Sequence, residues 1–443
     1  DLNLMESSGS LYLRQIQTGY GTAYVTSPAS IFNGNGGTCN SASTVGCNVV
    51  TGIDTLPGKA RFYANQDIGS DTITSISFGA ITSNIGRVEG VAQNGCFILR
   101  NQGALISGGV TPATTSIEAG SCIKLIAQSP VTVEVSQIAH VGDIVIVSED
   151  NGATDFVYVN PGVTLEATTG TVWLRGGDSI TLPVGAIITA GVVAKFSCED
   201  SATGDSDPQG CQISLYGQIN TPQLTIIGGN DNDTIIVDPQ MSMPHTTYTG
   251  GAGDDTITLL GMLPTFNTSE TIDLDGQGGS DHTIIYLAGD SNYIVNVTDS
   301  GAEDDGVDRL TIYGIDSGVR ADDLFLLRKN MVALINETID GNSDALADVE
   351  RINYTEQING RLRVNSMGGN DAFYMDDNSS ITTLDGGIGN DLFQFGQIFK
   401  SARDSAAAIL AGDVFATVET TRGFLSNGAS NPVTAYGGAG EDT

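Results

Sequence analysis

Residues 250–258 read "GGAGDDTIT", and the phrase nearly repeats as "GGNDNDTII" from Gly228 and "GGIGNDLFQ" from Gly386. Recurrence at several places in one chain marks a structural unit, not an isolated loop. Written against G-G-x-G-x-D-x-U-x, with U a large apolar residue, the copies at Gly250 and Gly386 fit at every defined position. The copy at Gly228 carries Asp231 in place of the third glycine, and the one at Gly437 fits as far as Thr443. Degenerate copies read "GQGGSDHTI" from Gly276, "DDGVDRLTI" from Asp304 and "MGGNDAFYM" from Met367.

The residue types follow from the work of such a turn. Glycine permits positive φ and leaves carbonyl oxygens uncovered, the aspartate adds a hard anionic oxygen, and the apolar residue begins a strand that points inward. A donor set of carboxylates and carbonyls selects calcium over zinc or copper. The candidate metal residues are therefore Gly228, Asp231 and Asp233; Gly250, Gly253 and Asp255; Gly278 and Asp281; Asp308; Gly369 and Asp371; Gly386, Gly389 and Asp391; and Gly437, Gly440 and Asp442. Phosphate-binding glycine loops are the functional rival, but neither a GxxxxGK[ST] sequence nor a GxGxxG opening a helix occurs.

Composition agrees with a turn-rich chain. Its 443 residues include 57 Gly and 38 Asp against 14 Glu, residues that favour turns over helix, with Val, Ile, Thr and Tyr between them. Short strand-like runs follow one another between Val131 and Ile227, such as "VTVEVSQI", "DIVIVSE" and "DFVYVN". "GTAYVTSPASI" at Gly21 and "GTVWLRGGDSI" at Gly170 share a pattern. Even spacing with drifting repetition predicts an all-β parallel β-helix or β-solenoid. The one helical signal, Ser401–Leu425, is read as an excursion from the repeating core.

The net charge of −34 is uneven: residues 1–220 hold 18 acids and 8 bases, residues 221–443 hold 34 acids and 10 bases. Acids at that density repel unless cations neutralise them, which argues for metal ions and against nucleic acid or an anionic membrane as partners. Two domains are expected, a shaft over 1–220 with disulfide-clipped loops and an acidic calcium-binding solenoid over 221–443. No apolar run reaches 18 residues, so no membrane insertion is expected.

Six cysteines stand at Cys39, Cys47, Cys96, Cys122, Cys198 and Cys211, without a CxxC pair. Cys39 with Cys47 and Cys198 with Cys211 flank short loops, and Cys96 and Cys122 are about one coil apart. The expected pairing follows that order, and disulfides place the protein outside the cytoplasm.

The glycine phrases resemble the calcium-binding nonapeptide repeats of haemolysin-type (RTX) extracellular proteins, and the "GTVWLRGGDSI" style resembles the β-helical shaft repeats of filamentous-haemagglutinin-type adhesins. The resemblance implies an extracellular, calcium-dependent parallel β-solenoid of right-handed coils with Asp233, Asp255 and Asp391 in the carboxylate position. The spacing departs from the tandem RTX pattern, because the starts lie 22 to 26 residues apart, about one coil of a larger β-helix. One phrase per coil would then stack along a single edge. Two or three coils that lost the motif would account for the long interval before 366, and the helical excursion for the one after 386.

Three functions remain in view. A polysaccharide lyase or epimerase needs a base and grouped cations, yet "LLRKN" and "GRLRV" are the only close pairs, and His140, His245 and His282 stand alone. A glycan- or surface-binding adhesin could use Tyr12, Tyr24 or Trp173. The expected function is non-enzymatic: a calcium-stabilised segment of an extracellular fibre or giant adhesin that stacks end to end with copies of itself or adjacent segments. The abrupt start in strand pattern and the phrase broken at Thr443 fit a segment of that kind. Sequons at Asn232, Asn267, Asn296, Asn336, Asn353 and Asn378 are no more numerous than chance predicts.

Overall fold

A computed structural model describes the chain except for residues 20, 35–46, 54–55, 71–78, 113–114, 151, 153, 199–209, 239–244, 261–270, 290–291, 303–304, 317–321 and 337–347, and the side chains of 52, 53, 56, 57, 336 and 348. The protein is all-β, with long parallel multi-stranded sheets and one short helix among the described residues. It divides into two compact units, Asp1–Met243 and Pro244–Thr443.

In the first unit the chain returns to the same sheet after every third strand. Ile144–Ser148 is followed by Phe156–Val159 and Thr164–Ala167, and the next strand, Val172–Gly176, pairs in parallel with Ile144–Ser148. Phe156–Val159 and Thr164–Ala167 likewise pair with Ser179–Leu182 and Ile187–Ala190. Alternation drives this packing. Val157, Val159, Ile180, Leu182, Ile213 and Leu215 are fully buried on one side of their strands, Tyr158, Thr181 and Gln212 are more exposed on the other, and Ser214 is buried as well.

The second unit uses two strands per return. Thr256–Leu259, His282–Tyr286, Arg309–Tyr313, Arg361–Asn365, Thr382–Asp385 and Val433–Tyr436 form one parallel series. His245–Ala252, Thr271–Gly278 and Tyr293–Thr298 form part of a second. Phe325, Phe373 and Phe393 stack in its core with centroids 5.2 and 5.0 Å apart.

Two expectations change. Arg309–Tyr313 pairs directly with Arg361–Asn365, so no lost turns separate the phrases around 308 and 366. The intervening chain supplies Leu324–Arg328 and Asp348–Tyr354, bridged by the antiparallel strand Met331–Asn336. The excursion near 401–425 is helical only over Ala406–Ala411, capped by Ser405 and by Gly412 at φ 68°. β-Branched Val414, Thr417, Val418 and Thr420 favour strand beyond it, and Thr417–Thr420, Gly423–Ser426 and Ile398–Phe399 form a small antiparallel sheet.

Two expected disulfides are present. Cys96 and Cys122 precede strands that pair Phe97 with Ile123, and their Cα atoms are 4.4 Å apart. Cys198 and Cys211 bridge at a Cα separation of 6.0 Å. Cys47 is disulfide-bonded, while Cys39 lies outside the described residues.

Candidate metal centre

Each glycine phrase bends the chain between the two series of strands. In "GGAGDD" Gly251 and Gly253 take φ of 126° and 123°, and in "GGIGND" Gly387 and Gly389 take 84° and 147°. The conformation is retained without glycine at Gln277 (77°) and at Met367 (73°), the residue that stands level with Gly387. The turn is thus imposed by its neighbours as much as by residue type.

The fourth-position glycines are packed against one another. A Cβ on Gly389 would strike the carbonyl of Gly369, one on Gly440 that of Gly389, one on Gly279 that of Gly253, and one on Gly306 that of Gly279. The column therefore runs through Gly279, not through its neighbour Gly278, whose carbonyl accepts from the Gly253 amide at 2.7 Å. Gly389→Ala combines a left-handed backbone with a backbone clash and is expected to cost about 3 kcal/mol. A denaturant midpoint equal to that of the wild type would contradict the column.

The sixth-position carboxylates form a second column. Asp281 Oδ1 accepts from the Asp255 amide at 2.8 Å, Asp308 from Asp281 at 3.0 Å, and Asn359 from Asp308 at 2.9 Å. Further on, Asp371 accepts from Asp323 at 2.7 Å, Asp391 from Asp371 at 2.9 Å and Asp442 from Asp391 at 3.0 Å. In the first unit Asp233 does the same for Cys211 at 2.6 Å. Fifth-position residues brace in the opposite sense: the amides of Ser280, Asn370, Asn390 and Glu441 donate to Asp254, Asp322, Asn370 and Asn390.

One carboxylate oxygen per phrase is thereby used. The other, Oδ2 of Asp281, Asp308, Asp371 and Asp391, is buried without a hydrogen-bond donor. Where the phrase opens on glycine it lies against that residue, so a side chain at Gly276 or Gly386 would collide with Asp281 or Asp391. At Gly250 the carboxylate of Asp255 and the carbonyl of Gly276 converge on the space a Cβ would fill, and Gly437 is held likewise by Asp442. Gly228 lies in strand Gln223–Gly229, where the following Asp231 and Asp233 complete the phrase.

Burial makes ionisation costly here. Desolvation, reinforced by Asp308, Asp254 and Asp305, pushes Asp281 up to about 6. Asp371 is likewise raised to about 6 by desolvation, with Asp391 and Asp322 adding to it. Asp308 and Asp391 are raised for the same leading reason. Asp323 reaches about 8, chiefly through burial and then through Asp371, Glu350 and Asp322. Buried carboxylate oxygens without donors, beside carbonyls uncovered by glycine, suit a hard divalent cation. Among the described residues no three acidic, histidine or cysteine side chains converge at metal-binding spacing. A cation here would take one or two carboxylates and complete its shell with carbonyls and water.

Asp323 escaped the sequence reading because Val319 and Ala321, and not glycines, stand at the second and fourth positions of the phrase before it. Its signal is "DDLFLL", an acid followed at the second residue by alternating apolar positions, as in "DDTITL". Asp299 was also missed; it follows the strand whose Thr298 pairs with Asp275 and so stands level with Gly276, beside Asp308. The basic pairs are engaged in part: Arg328 meets Asp376 and Asp413, and Arg363 meets Asp385 at 2.7 Å. His282 bonds Thr311 at 2.9 Å, and His245 stands 4.0 Å from Asp273. Asn378 is fully buried, its amide donating to Ser380 and Thr382, which excludes a glycan on that sequon in the folded chain. The sequon at Asn267 and the side chain of Asn336 fall outside what the structure describes. Comparison with known families, curated proteins and solved structures finds no match to this chain.

Proposed function

We propose that the chain is a calcium-stabilised parallel β-solenoid of the RTX-like kind that serves as a segment of an extracellular fibre or giant adhesin. The observation that carries this reading is the aspartate column, in which each turn's carboxylate holds the amide of the turn before it and keeps a second, donor-free oxygen for a cation. Such a device adds stiffness turn by turn, and its effect accumulates with length. Stability in a stacked architecture is a sum of nearest-neighbour terms, so the cation between turns sets the stability of the whole. The two disulfides join residues at turns in the first unit and favour an oxidising compartment. No helix among the described residues is long and apolar enough to cross a membrane. A non-enzymatic role accords with the spread of the bases. End-to-end contact with copies or neighbouring segments would lengthen the stack, since a heterologous contact that does not close propagates as a filament.

Electron microscopy of the native material in calcium is expected to show thin rods that shorten or fray on chelation. Compact, monodisperse particles indifferent to chelator would overturn the proposal.

A further inference from the structure

The outer face of the second unit's longer strand series carries charge of the wrong sign for its surroundings. In strand Arg309–Tyr313, Arg309 lies in register between His282 and Arg361, and Tyr313 between Tyr286 and Asn365. Neighbouring strands are about 4.8 Å apart, so two guanidinium groups from residues distant in sequence stand side by side. Arg363 faces the same way two residues further on, while Leu362 and Val364 between and beyond are fully buried. Four residues further along the same face the rings of Tyr286 and Tyr313 stack, centroids 4.6 Å apart and planes 14° from parallel.

Arg363 is neutralised by Asp385, and Arg361 donates to Thr383 Oγ1 at 2.6 Å. Among the described residues neither Arg309 nor Arg361 has an ion-pair partner. Like charges on facing positions of adjacent strands destabilise a sheet. This pair persists in a half of the chain with 34 acids and 10 bases, where carboxylate partners were abundant in sequence.

We propose that this face binds an anionic polysaccharide, with Arg309 and Arg361 converging on one acidic group and the two tyrosines lying along the edges of sugar rings further along the chain. Guanidinium forks match sulfate or carboxylate oxygens bidentately. An added peptide strand is disfavoured because each strand here is already paired on both sides, Thr256–Leu259 and Thr382–Asp385 flanking the series. Recognition must therefore run through side chains. Nucleic acid is disfavoured by charge density: a duplex carries a charge about every 1.7 Å of axis, which the protein's net −34 opposes, whereas an acidic glycan spreads its charges more widely.

The test is titration of the whole chain, in calcium, with a κ-carrageenan hexasaccharide, which bears one sulfate per disaccharide, and with its neutral agarose counterpart. Wild type is expected to bind the sulfated form at least about tenfold more tightly than the neutral one. Arg309→Gln with Arg361→Gln should lose about tenfold or more, and Tyr313→Leu several-fold, with melting midpoints reported alongside. Arg351→Gln, an exposed arginine of the other strand series, should change nothing. Hydrogen exchange on wild type should show sugar-dependent protection over 282–286, 309–313 and 361–365, which tests the face even if a variant folds poorly. Equal binding of the neutral sugar, equal loss in Arg351→Gln, tighter binding of a twelve-nucleotide DNA strand, or protection elsewhere would each overturn the assignment.

Discussion

Melting the chain in EGTA and again in 10 mM calcium is expected to separate the two midpoints of the second unit by about 12 °C or more. Extracellular oxygen-ligand sites typically bind calcium with dissociation constants of about 0.1 to 1 mM, so 10 mM calcium contributes roughly 1.4 to 2.7 kcal/mol per site. The second unit holds donor-free carboxylate oxygens at Asp281, Asp308, Asp371 and Asp391, four positions among the described residues. If each takes part in one site, the sum is about 6 to 11 kcal/mol, comparable to the whole stability of an ordinary domain. At about 2 to 4 °C per kcal/mol for a unit of this size the separation follows. Coincident midpoints for the second unit would remove calcium from the account of this protein. Magnesium should substitute poorly, because it prefers a rigid octahedral shell and keeps its water.

A change of sign is expected at Asp371. In calcium-free protein this carboxyl is raised from 3.8 to about 6 by burial first and by Asp391 and Asp322 after it. A carboxyl with a folded value above its unfolded value favours the native state in its protonated form. Its contribution is full below about pH 4, the unfolded value, and is lost as pH rises through about 6. Asp281 and Asp299 titrate in the same window and Asp323 near 8. The chelated protein should therefore melt several degrees higher at pH 5 than at pH 8.5, against the trend of a protein held by ionised salt bridges. Asp371→Asn keeps the oxygen that accepts from the Asp323 amide, as Asn359 does for Asp308, and removes the ionisation. At pH 8 it should raise the midpoint in EGTA by about 2 to 4 °C and lower it in calcium by about 5 °C or more. The same sign in both buffers would mean that Asp371 is a hydrogen-bonding residue and nothing further.

The local features were legible without coordinates. Glycine, aspartate and an apolar residue at fixed offsets specify a turn because positive φ, a short acceptor side chain and the start of a buried strand are properties of a few consecutive residues. Alternation in "VTVEV" or "DIVIV" fixed which side chains face inward for the same reason. The pairing of Cys96 with Cys122 was legible because their spacing equals one return of the chain.

What the tertiary structure decided is register between distant segments. Whether a return takes three strands, as around Ile144, or two, as around Thr256, depends on how the turns pack above and below, and no nine-residue window contains that. Asp323 joins the carboxylate column through its contact with Asp371, 48 residues on, although Val319 and Ala321 replace the second and fourth glycines that would announce it. The segment after Ala411 becomes strand because an antiparallel partner is present at Gly423–Ser426. Arg309 and Arg361 become neighbours only because strand Arg309–Tyr313 skips the intervening hairpin and pairs with Arg361–Asn365. Turn chemistry is short-ranged and so is written in the local sequence; side-by-side stacking is long-ranged, and only the folded chain sets which charges it places together.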